Sequence, residues 1–178
     1  TNANLSRADL TSAILPSATL VGANFEGAYI ARAILRNTTE YGFTKDQLYS
    51  TADYQSKNLV AMDLRYNALS EWDFRGQDLT RVLFDASYLA EANLSGANLV
   101  EAGLSGTTTR GFTKEQLYST ASYQAYKMRG MNLAANDLNG WDFHNQDLSN
   151  VSFAFSTLDD VNFRGALVAG VSFRETTS

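Results

Sequence analysis

The chain has 178 residues, of which 44% are hydrophobic and 19% are charged, and its formal net charge is -5 at pH 7. This size and composition predict one domain with its own hydrophobic core. The absence of cysteine excludes disulfides, thiolate zinc sites and thiol catalysis, while both oxidising and reducing compartments stay open. The negative charge argues against general nucleic-acid binding, which normally requires a basic face. No apolar run approaches the roughly 20 residues of a membrane span.

A five-residue period dominates the chain and is clearest in Glu91–Gly106. Leu94, Leu99 and Leu104 recur every five residues, and alanine stands two positions before each of them. A helix turning about 100° per residue would scatter these leucines around its axis, and a flat strand would point them to alternate faces. The pattern therefore predicts a corner every five residues. Nine glycines lie two residues after a central apolar residue, which favours a turn with positive φ there.

Three tracts keep this period, at residues 3–37, 57–106 and 126–175, and every central position in them is apolar. A side of three extended residues spans about 10 Å, the distance at which two sheet faces pack with side chains between them. Four such sides predict a square coil of about 20 residues, whose interior holds the central residue and the small residue two before it. Successive coils would pair their backbones along the axis of a solenoid.

These motifs resemble the pentapeptide-repeat family, whose pattern is A-(D/N)-L-x-x. Ala3-Asn4-Leu5, Ala8-Asp9-Leu10 and Ala92-Asn93-Leu94 match this pattern, and the resemblance covers all three tracts. It implies an all-β solenoid, namely a right-handed quadrilateral β-helix. It does not imply a single function, because members of the family range from DNA-mimicking gyrase inhibitors to proteins with no known role.

A longer repeat of 69 residues lies over the five-residue period. The insert Gly42–Gln55 interrupts the period and returns as Gly111–Gln124 with only two differences. The tract that follows obeys the same offset, since Trp72-Asp73-Phe74 returns as Trp141-Asp142-Phe143. We therefore predict a single domain over residues 1–178, in which a unit of one insert and ten pentapeptides is duplicated. The first tract then corresponds to the end of a preceding unit.

Each insert, at about 42–55 and 111–124, predicts a short helix, near 45–54 and 114–123. In the first insert, Thr44 followed three residues later by Gln47 is a capping box, and the preceding Phe43 can form a hydrophobic staple. The second insert repeats both devices. The fold expected is therefore a β-helix with two short helical inserts.

Large or polar residues take the inner position just after each insert, where alanine stands elsewhere. Because the interior cannot hold tryptophan and leucine side by side without overpacking, we expect Trp72 and Trp141 to bend outward and cover the inserted helices. Together with nearby tyrosines they form the candidate interaction surface: Tyr49, Tyr54, Trp72, Tyr118, Tyr123 and Trp141. These rings could line a shallow groove for a peptide or a sugar ring. The interpretation that we favour is that they cover the core where the coil is interrupted.

The sequence supplies no catalytic constellation. The single histidine, His144, follows a central phenylalanine at an outward position and has no nucleophile beside it. Aspartates that precede central residues are of the kind that bond local backbone in turns, and they fall on different faces of a convex wall, unlike the paired carboxylates of glycosidases. We expect no enzyme activity, no cofactor and no metal site.

Three classes of function fit this pattern. We favour a non-enzymatic structural or interaction scaffold whose flat walls and inserts contact a protein partner. The alternative resembles the quinolone-resistance pentapeptide proteins, and would be a DNA-mimicking inhibitor or protector of a type II topoisomerase. Lys45 and Lys114 on the inserts and arginines among the acids argue against it. The third class, an enzyme or carbohydrate binder, lacks a catalytic constellation.

The ends of the chain and its tandem unit give two further expectations. Asn2-Ala3-Asn4-Leu5 is already regular repeat, and five polar residues follow Phe173, so we expect no packed cap on either terminal coil. Because an unpaired edge templates further pairing, weak self-association through the coil ends is expected. The tandem unit also resembles the long arrays of some secreted bacterial pentapeptide proteins, which favours a secreted or extracellular location and leaves the cytoplasm open.

Overall fold

The computed structural model describes residues 1–177, and these form a four-sided coil. Parallel β-bridges join residues 20 positions apart, as between Asn4 and Asn24 or between Asp78 and Asn98. Since the sequence repeats every five residues, this spacing gives four sides per coil. Throughout the described residues the bridges are isolated, and they do not extend into longer strands. The β-structure is thus a ladder of single bridges on each side, connected by turns.

The corner of each repeat lies two residues after the central residue, and its φ is positive in all 27 repeats. Nine corners are glycine, as the sequence indicates. The other 18 carry side chains, among them Arg7 at 57°, Glu71 at 63° and Phe155 at 62°. In a typical corner the N–H of the next inner residue donates to the central carbonyl, as from Ala97 N to Leu94 O at 3.0 Å. The coil therefore imposes the left-handed conformation on most corner residues, whether or not they are glycine.

The central residues line one apolar core along the axis of the coil. Leu64, Leu94 and Leu99 are at most 1% exposed, which is the orientation that the five-residue pattern predicts. Burial decreases in the last coil, where Val168 and Phe173 hold the same position but are 48% and 42% exposed. The core is consequently closed along its sides and open where the described coils end.

Across each insert, the coil is longer than elsewhere. The bridges that pass the inserts join Ile34 to Asp63 and Gly103 to Asn132, which are 29 positions apart. The additional residues form two helices per insert, and a 3-10 turn precedes each pair at Thr39–Tyr41 and Thr108–Arg110. The helices are α1 (Lys45–Tyr49), α2 (Ala52–Gln55), α3 (Lys114–Tyr118) and α4 (Ala121–Gln124).

The single helix expected near 45–54 is therefore divided in two. Thr51 causes the break, because it lies in extended backbone (φ -74°, ψ 150°) and its side chain accepts a hydrogen bond from Tyr54 N, which starts α2. Thr120 divides the second insert in the same way. The capping boxes predicted at the start of α1 and α3 are present, with Thr44 and Gln47 bonding reciprocally in the first.

Candidate interaction surface

Both inserts occupy the same side of the coil. We call this side the insert wall and define it by the bridging residues of its regular coils, Asn24, Asp73, Asn93 and Asp142. In chain order α1 comes between the coils of Asn24 and Asp73, and α3 comes between those of Asn93 and Asp142. Each helix therefore takes the position of one missing bridging residue on this wall.

Two tyrosine hydroxyls replace the missing backbone pairing. In a regular coil the bridging residue donates its N–H to the coil before it and accepts from the same coil through its carbonyl. Asp73 makes the same two bonds with side chains: its N–H donates to Tyr49 Oη at 2.5 Å, and its carbonyl accepts from Tyr54 Oη at 2.8 Å. Tyr118 and Tyr123 serve Asp142 at the same distances. The hydroxyl groups of the four tyrosines predicted as an interaction surface thus stabilise the coil by bonding the backbone of Asp73 and Asp142.

The environment of the hydroxyls keeps them protonated. Burial, with a smaller contribution from Tyr49, raises the pKa of Tyr54 to about 12. Burial likewise raises the pKa of Tyr123 to about 12, and it raises the pKa of Tyr49 and of Tyr118. A neutral hydroxyl can both donate and accept, which is what the bonds to the wall require.

Trp72 and Trp141 lie between the inserts and the core. Trp72 is 6% exposed, with its ring centroid 5.9 Å from Phe43 of the insert and 6.3 Å from Phe74, the central residue of its own repeat. Trp141 is 5% exposed. The indoles contact the inserts, as expected, but the inserts bury them, so little of either ring is available to a partner. The outer aromatic surface is instead the stacked pair Tyr49 and Tyr54, whose half-buried rings are 4.5 Å apart.

Side-chain amides join each insert to the coils on both sides of it. Gln47 Nε2 donates to Leu20 O and Ala23 O, both at 2.8 Å. Asn67, which is 1% exposed, accepts from the N–H groups of Thr38 and Thr39 and donates to two carbonyls. Gln116 and Asn136 repeat these bonds in the second insert. The polar residues at inner positions, Asn67 and Asn136, therefore anchor the inserts. From the sequence alone, these residues indicated only that the coil is distorted there.

The two inserts differ at one buried position that contacts the wall. Asp53 is 5% exposed, and its carboxylate accepts from the N–H groups of Ile30 and Ala31. Ser122 takes its place in the second insert, accepting from Leu99 N at 2.7 Å and donating to Asn98 Oδ1 at 3.0 Å. The Asp53 carboxylate and the Ser122 hydroxyl thus occupy equivalent positions and accept hydrogen bonds from equivalent backbone N–H groups of the coil before each insert.

A shallow groove of about 370 Å³ lies beside the second insert. Its walls combine polar residues of α3 and of the neighbouring repeats with two buried aromatic residues. The lining includes Thr108, Phe112, Lys114, Glu115, Asp137 and Trp141. Of the six predicted surface residues, Trp141 alone lines this groove, so the structure does not bring the aromatic sets together into one binding cleft.

His144 is exposed, and its backbone N–H donates to the Asp142 carboxylate. Within residues 1–177 the acidic and imidazole side chains form no cluster that could hold a metal ion. In the same part of the chain, every helix is too short and too polar to cross a bilayer.

A four-sided coil built on a five-residue sequence period defines a repeat solenoid. The family model described as pentapeptide repeats matches eight copies in this chain, over residues 2–39, 58–108 and 127–176. These ranges include well over half of the sequence, so the chain belongs to the pentapeptide-repeat family.

Solved structures similar to this chain are also pentapeptide-repeat or resistance proteins. HetL, a pentapeptide repeat protein involved in heterocyst differentiation regulation from the cyanobacterium Nostoc sp. strain PCC 7120, is 23% identical, with 99% of this chain and 58% of HetL covered and a TM-score of 0.23. QnrB1, a plasmid-mediated fluoroquinolone resistance protein, is 16% identical, with 95% of this chain and 80% of QnrB1 covered and a TM-score of 0.27. The chain spans less than two thirds of HetL's length. No protein with a curated functional description matches it.

Proposed function

We propose that the chain is a non-enzymatic scaffold that contacts a protein partner through its insert wall. Membership of a repeat family supports a scaffold role, because solenoids present extended surfaces of fixed geometry. The proposal gives no role to catalysis: the buried polar groups of the inserts are occupied with backbone, as described above for Asp53 and Ser122.

The observation that carries the proposal is the repetition of one insert, with the same helices and the same anchoring hydrogen bonds, on one wall. The inserts are three coils apart, which at about 4.8 Å per coil is a distance of about 14 Å. A single protein partner, which covers about 800 Å² in a typical interface, can contact both. Each insert presents an exposed lysine next to an exposed acid, Lys45 with Asp46 and Lys114 with Glu115. Beside them lie the half-buried tyrosine pairs.

Site-specific photo-crosslinking in the native cell tests the proposal. A photoreactive residue at Lys45 or at Lys114 should capture the same protein. The control position is Asn150, an exposed corner on another part of the coil, which should capture little of that protein. Equal capture from all three positions, or capture of unrelated proteins from the two inserts, would refute contact through the insert wall.

The alternative function is inhibition or protection of a type II topoisomerase by mimicry of DNA. The net charge of -5 favours it. However, basic partners interrupt the acids of the walls, since Arg65 pairs with Asp63 at 2.7 Å and Arg81 with Glu101 at 2.6 Å. We therefore rank it second and predict no direct binding to nucleic acid.

Two finer proposals accompany the scaffold role. The coil is right-handed, as the resemblance to the family implies. The protein is secreted or extracellular, which is supported by the resemblance of its tandem unit to secreted arrays; exposure of the native protein to externally added protease tests this location.

A further inference from the structure

The groove beside the second insert is lined by charged side chains that the fold leaves without ionic partners. Lys114, Glu115 and Asp137 are exposed and line this groove, and within residues 1–177 none of them forms an ion pair. Asp137 uses one of its two carboxylate oxygens, since Oδ1 accepts from Asn139 N at 3.2 Å and from Thr157 Oγ1 at 2.9 Å. The other carboxylate oxygen of Asp137 and the whole carboxylate of Glu115 are therefore available to a ligand.

The charge of this groove favours a cation. Its lining contains two carboxylates and one ammonium group, a net charge of -1. Lys114 and Glu115 are consecutive in α3, so their side chains do not face each other. A third exposed acid lies on the next coil, because Asp159 N donates to Asn139 Oδ1 at 2.8 Å. A positively charged group of a partner thus meets more acid than base here.

The first insert keeps the same charge with different residues. At the 69-residue offset Ala68 stands in place of Asp137, which removes one acid from the equivalent position. Glu40 stands in place of Thr109 and restores the acid. A carboxylate with a structural role would be tied to its own hydrogen-bond partners, whereas a carboxylate that attracts a cation can move by a few ångströms. The exchange of positions therefore favours a role in binding.

The groove also contains a hydrogen-bond donor without a partner. Trp141 lines the groove and is 5% exposed. Its indole N–H donates no hydrogen bond within residues 1–177. The N–H is also not among the inaccessible polar atoms that lack a partner, which are Gln77 Oε1 and Gln146 Oε1. The indole N–H therefore contacts solvent at the groove, where a backbone carbonyl of a ligand can accept from it.

We propose that this groove binds an arginine side chain and the backbone beside it, presented by the protein partner of the insert wall. A guanidinium carries five donors in a planar fork and can bond Glu115 and Asp137 together, whereas an ammonium is a point charge. A carbonyl next to the arginine accepts from the Trp141 indole. The volume of about 370 Å³ lies at the small end of ligand sites, which fits one side chain with its backbone. This inference rests on the proposed contact with a protein partner and names what that partner presents.

Two-dimensional NMR of the whole chain tests the site, because its two tryptophans give two indole N–H signals. The probe is N-acetyl-Gly-Arg-Gly-amide. It should shift the Trp141 signal in a saturable way, with a dissociation constant in the millimolar range. The same peptide with lysine in place of arginine should bind at least about threefold more weakly, since one ammonium replaces the fork. The peptide with glutamate should leave the Trp141 signal in place.

Matched variants assign the binding to the groove. Asp137→Asn and Glu115→Gln should each weaken the response of Trp141 to the arginine peptide by at least about threefold. An unchanged Trp72 signal before the peptide is added shows that both variants stay folded. Glu26→Gln removes the same charge from an exposed position four coils before α3. It should change the affinity by less than about twofold, because salt screens exposed charges beyond about 8 Å.

Three results would overturn the proposal: a Trp141 signal that does not respond to about 20 mM arginine peptide, an equal response to the glutamate peptide, or an unchanged affinity in both groove variants. The photo-crosslinking experiment separates this inference from the scaffold role. Capture of one protein from both inserts without arginine binding would refute the arginine site and leave the scaffold role intact. Arginine binding at Trp141 without a common captured protein would do the reverse.

Discussion

At the scale of the residue, the coil depends on a corner conformation that most amino acids disfavour. The left-handed conformation costs an L-residue roughly 1–2 kcal/mol, and 18 of the 27 corners carry a side chain. The cost is offset because most corner N–H groups pair with the next coil, as Arg7 N does with Glu26 O at 2.8 Å. Corner glycines should therefore stabilise the coil even where a side chain would have room.

Gly76 isolates this effect, since an added Cβ would meet no atom within 4 Å. Gly76→Ala should lower the free energy of unfolding by about 1 kcal/mol, because alanine is strained at positive φ. The matched change is Ala86→Gly, at a corner with φ 56°. It should raise stability slightly or leave it unchanged, since relief of strain opposes the larger chain entropy of glycine. Urea unfolding measures both variants, and losses of similar size in the two would contradict the explanation.

At the scale of the element, each insert takes the place of one bridging residue in the ladder of β-bridges. Side-chain hydroxyls of the insert make the two hydrogen bonds that backbone groups make in a regular coil. Tyr49 supplies the acceptor for Asp73 N and Tyr54 supplies the donor for Asp73 O. The hydroxyls reach the wall because the break at Thr51 turns α2 against α1 and stacks the two rings. The stability of the insert should therefore depend on the hydroxyl groups as well as on the rings.

Tyr54→Phe keeps the ring and removes the hydroxyl that donates to Asp73 O. The free energy of unfolding should fall by about 1–3 kcal/mol, because a partly buried carbonyl loses its partner. Tyr126→Phe is the control, since that ring is 54% exposed, and it should change stability by less than about 0.5 kcal/mol. Equal stability of the Tyr54→Phe variant and the parent chain, measured by urea unfolding, would show that the bond contributes nothing.

Because the pKa values of the insert tyrosines are raised, the free energy of unfolding should depend on pH in the alkaline range. The pKa of Tyr54 and of Tyr123 is about 12 in the folded chain, against the ordinary value of 10.0. The unfolded chain therefore releases these protons first, so the stabilisation is complete below pH 10 and is lost as the pH rises towards 12. Unfolding measured from pH 9 to 11.5 should show a steeper loss in the parent chain than in the variant with both Tyr54→Phe and Tyr123→Phe. Parallel curves would contradict the assigned cause.

The sequence predicted the five-residue coil well because a repeated pattern reports the average environment of each position. Leu94 and Leu99 are buried as the period indicates, and the capping box of Thr44 and Gln47 is present. The pairing of Tyr54 with Asp73 could not be predicted, since it joins residues 19 positions apart through a side chain and depends on the break at Thr51. The sequence did contain one sign of these contacts, because the polar inner residues return at the 69-residue offset. This return indicates that both copies have the same role, but it does not define the geometry of the contacts.

At the scale of the whole molecule, the distribution of charge separates the scaffold from a mimic of DNA. The ion pairs Asp63–Arg65 and Glu101–Arg81 place basic groups among the acids of the walls, whereas DNA presents one negative charge per about 1.7 Å of its axis. The purified chain at micromolar concentration should therefore leave gyrase supercoiling unchanged. Inhibition that persists in physiological salt would favour the topoisomerase function over the scaffold.

If the inserts are rungs of the coil, their contacts with the wall should open as rarely as the regular bridges do. Hydrogen exchange resolved by residue measures this directly. The N–H groups of Asp73 and Gly27, which donate to Tyr49 and Ser50 of the first insert, should be protected within about tenfold of Asn93 N, which donates to the regular coil. Fast exchange of Asp73 and Gly27 beside a well protected Asn93 would show instead that the inserts are loosely attached loops.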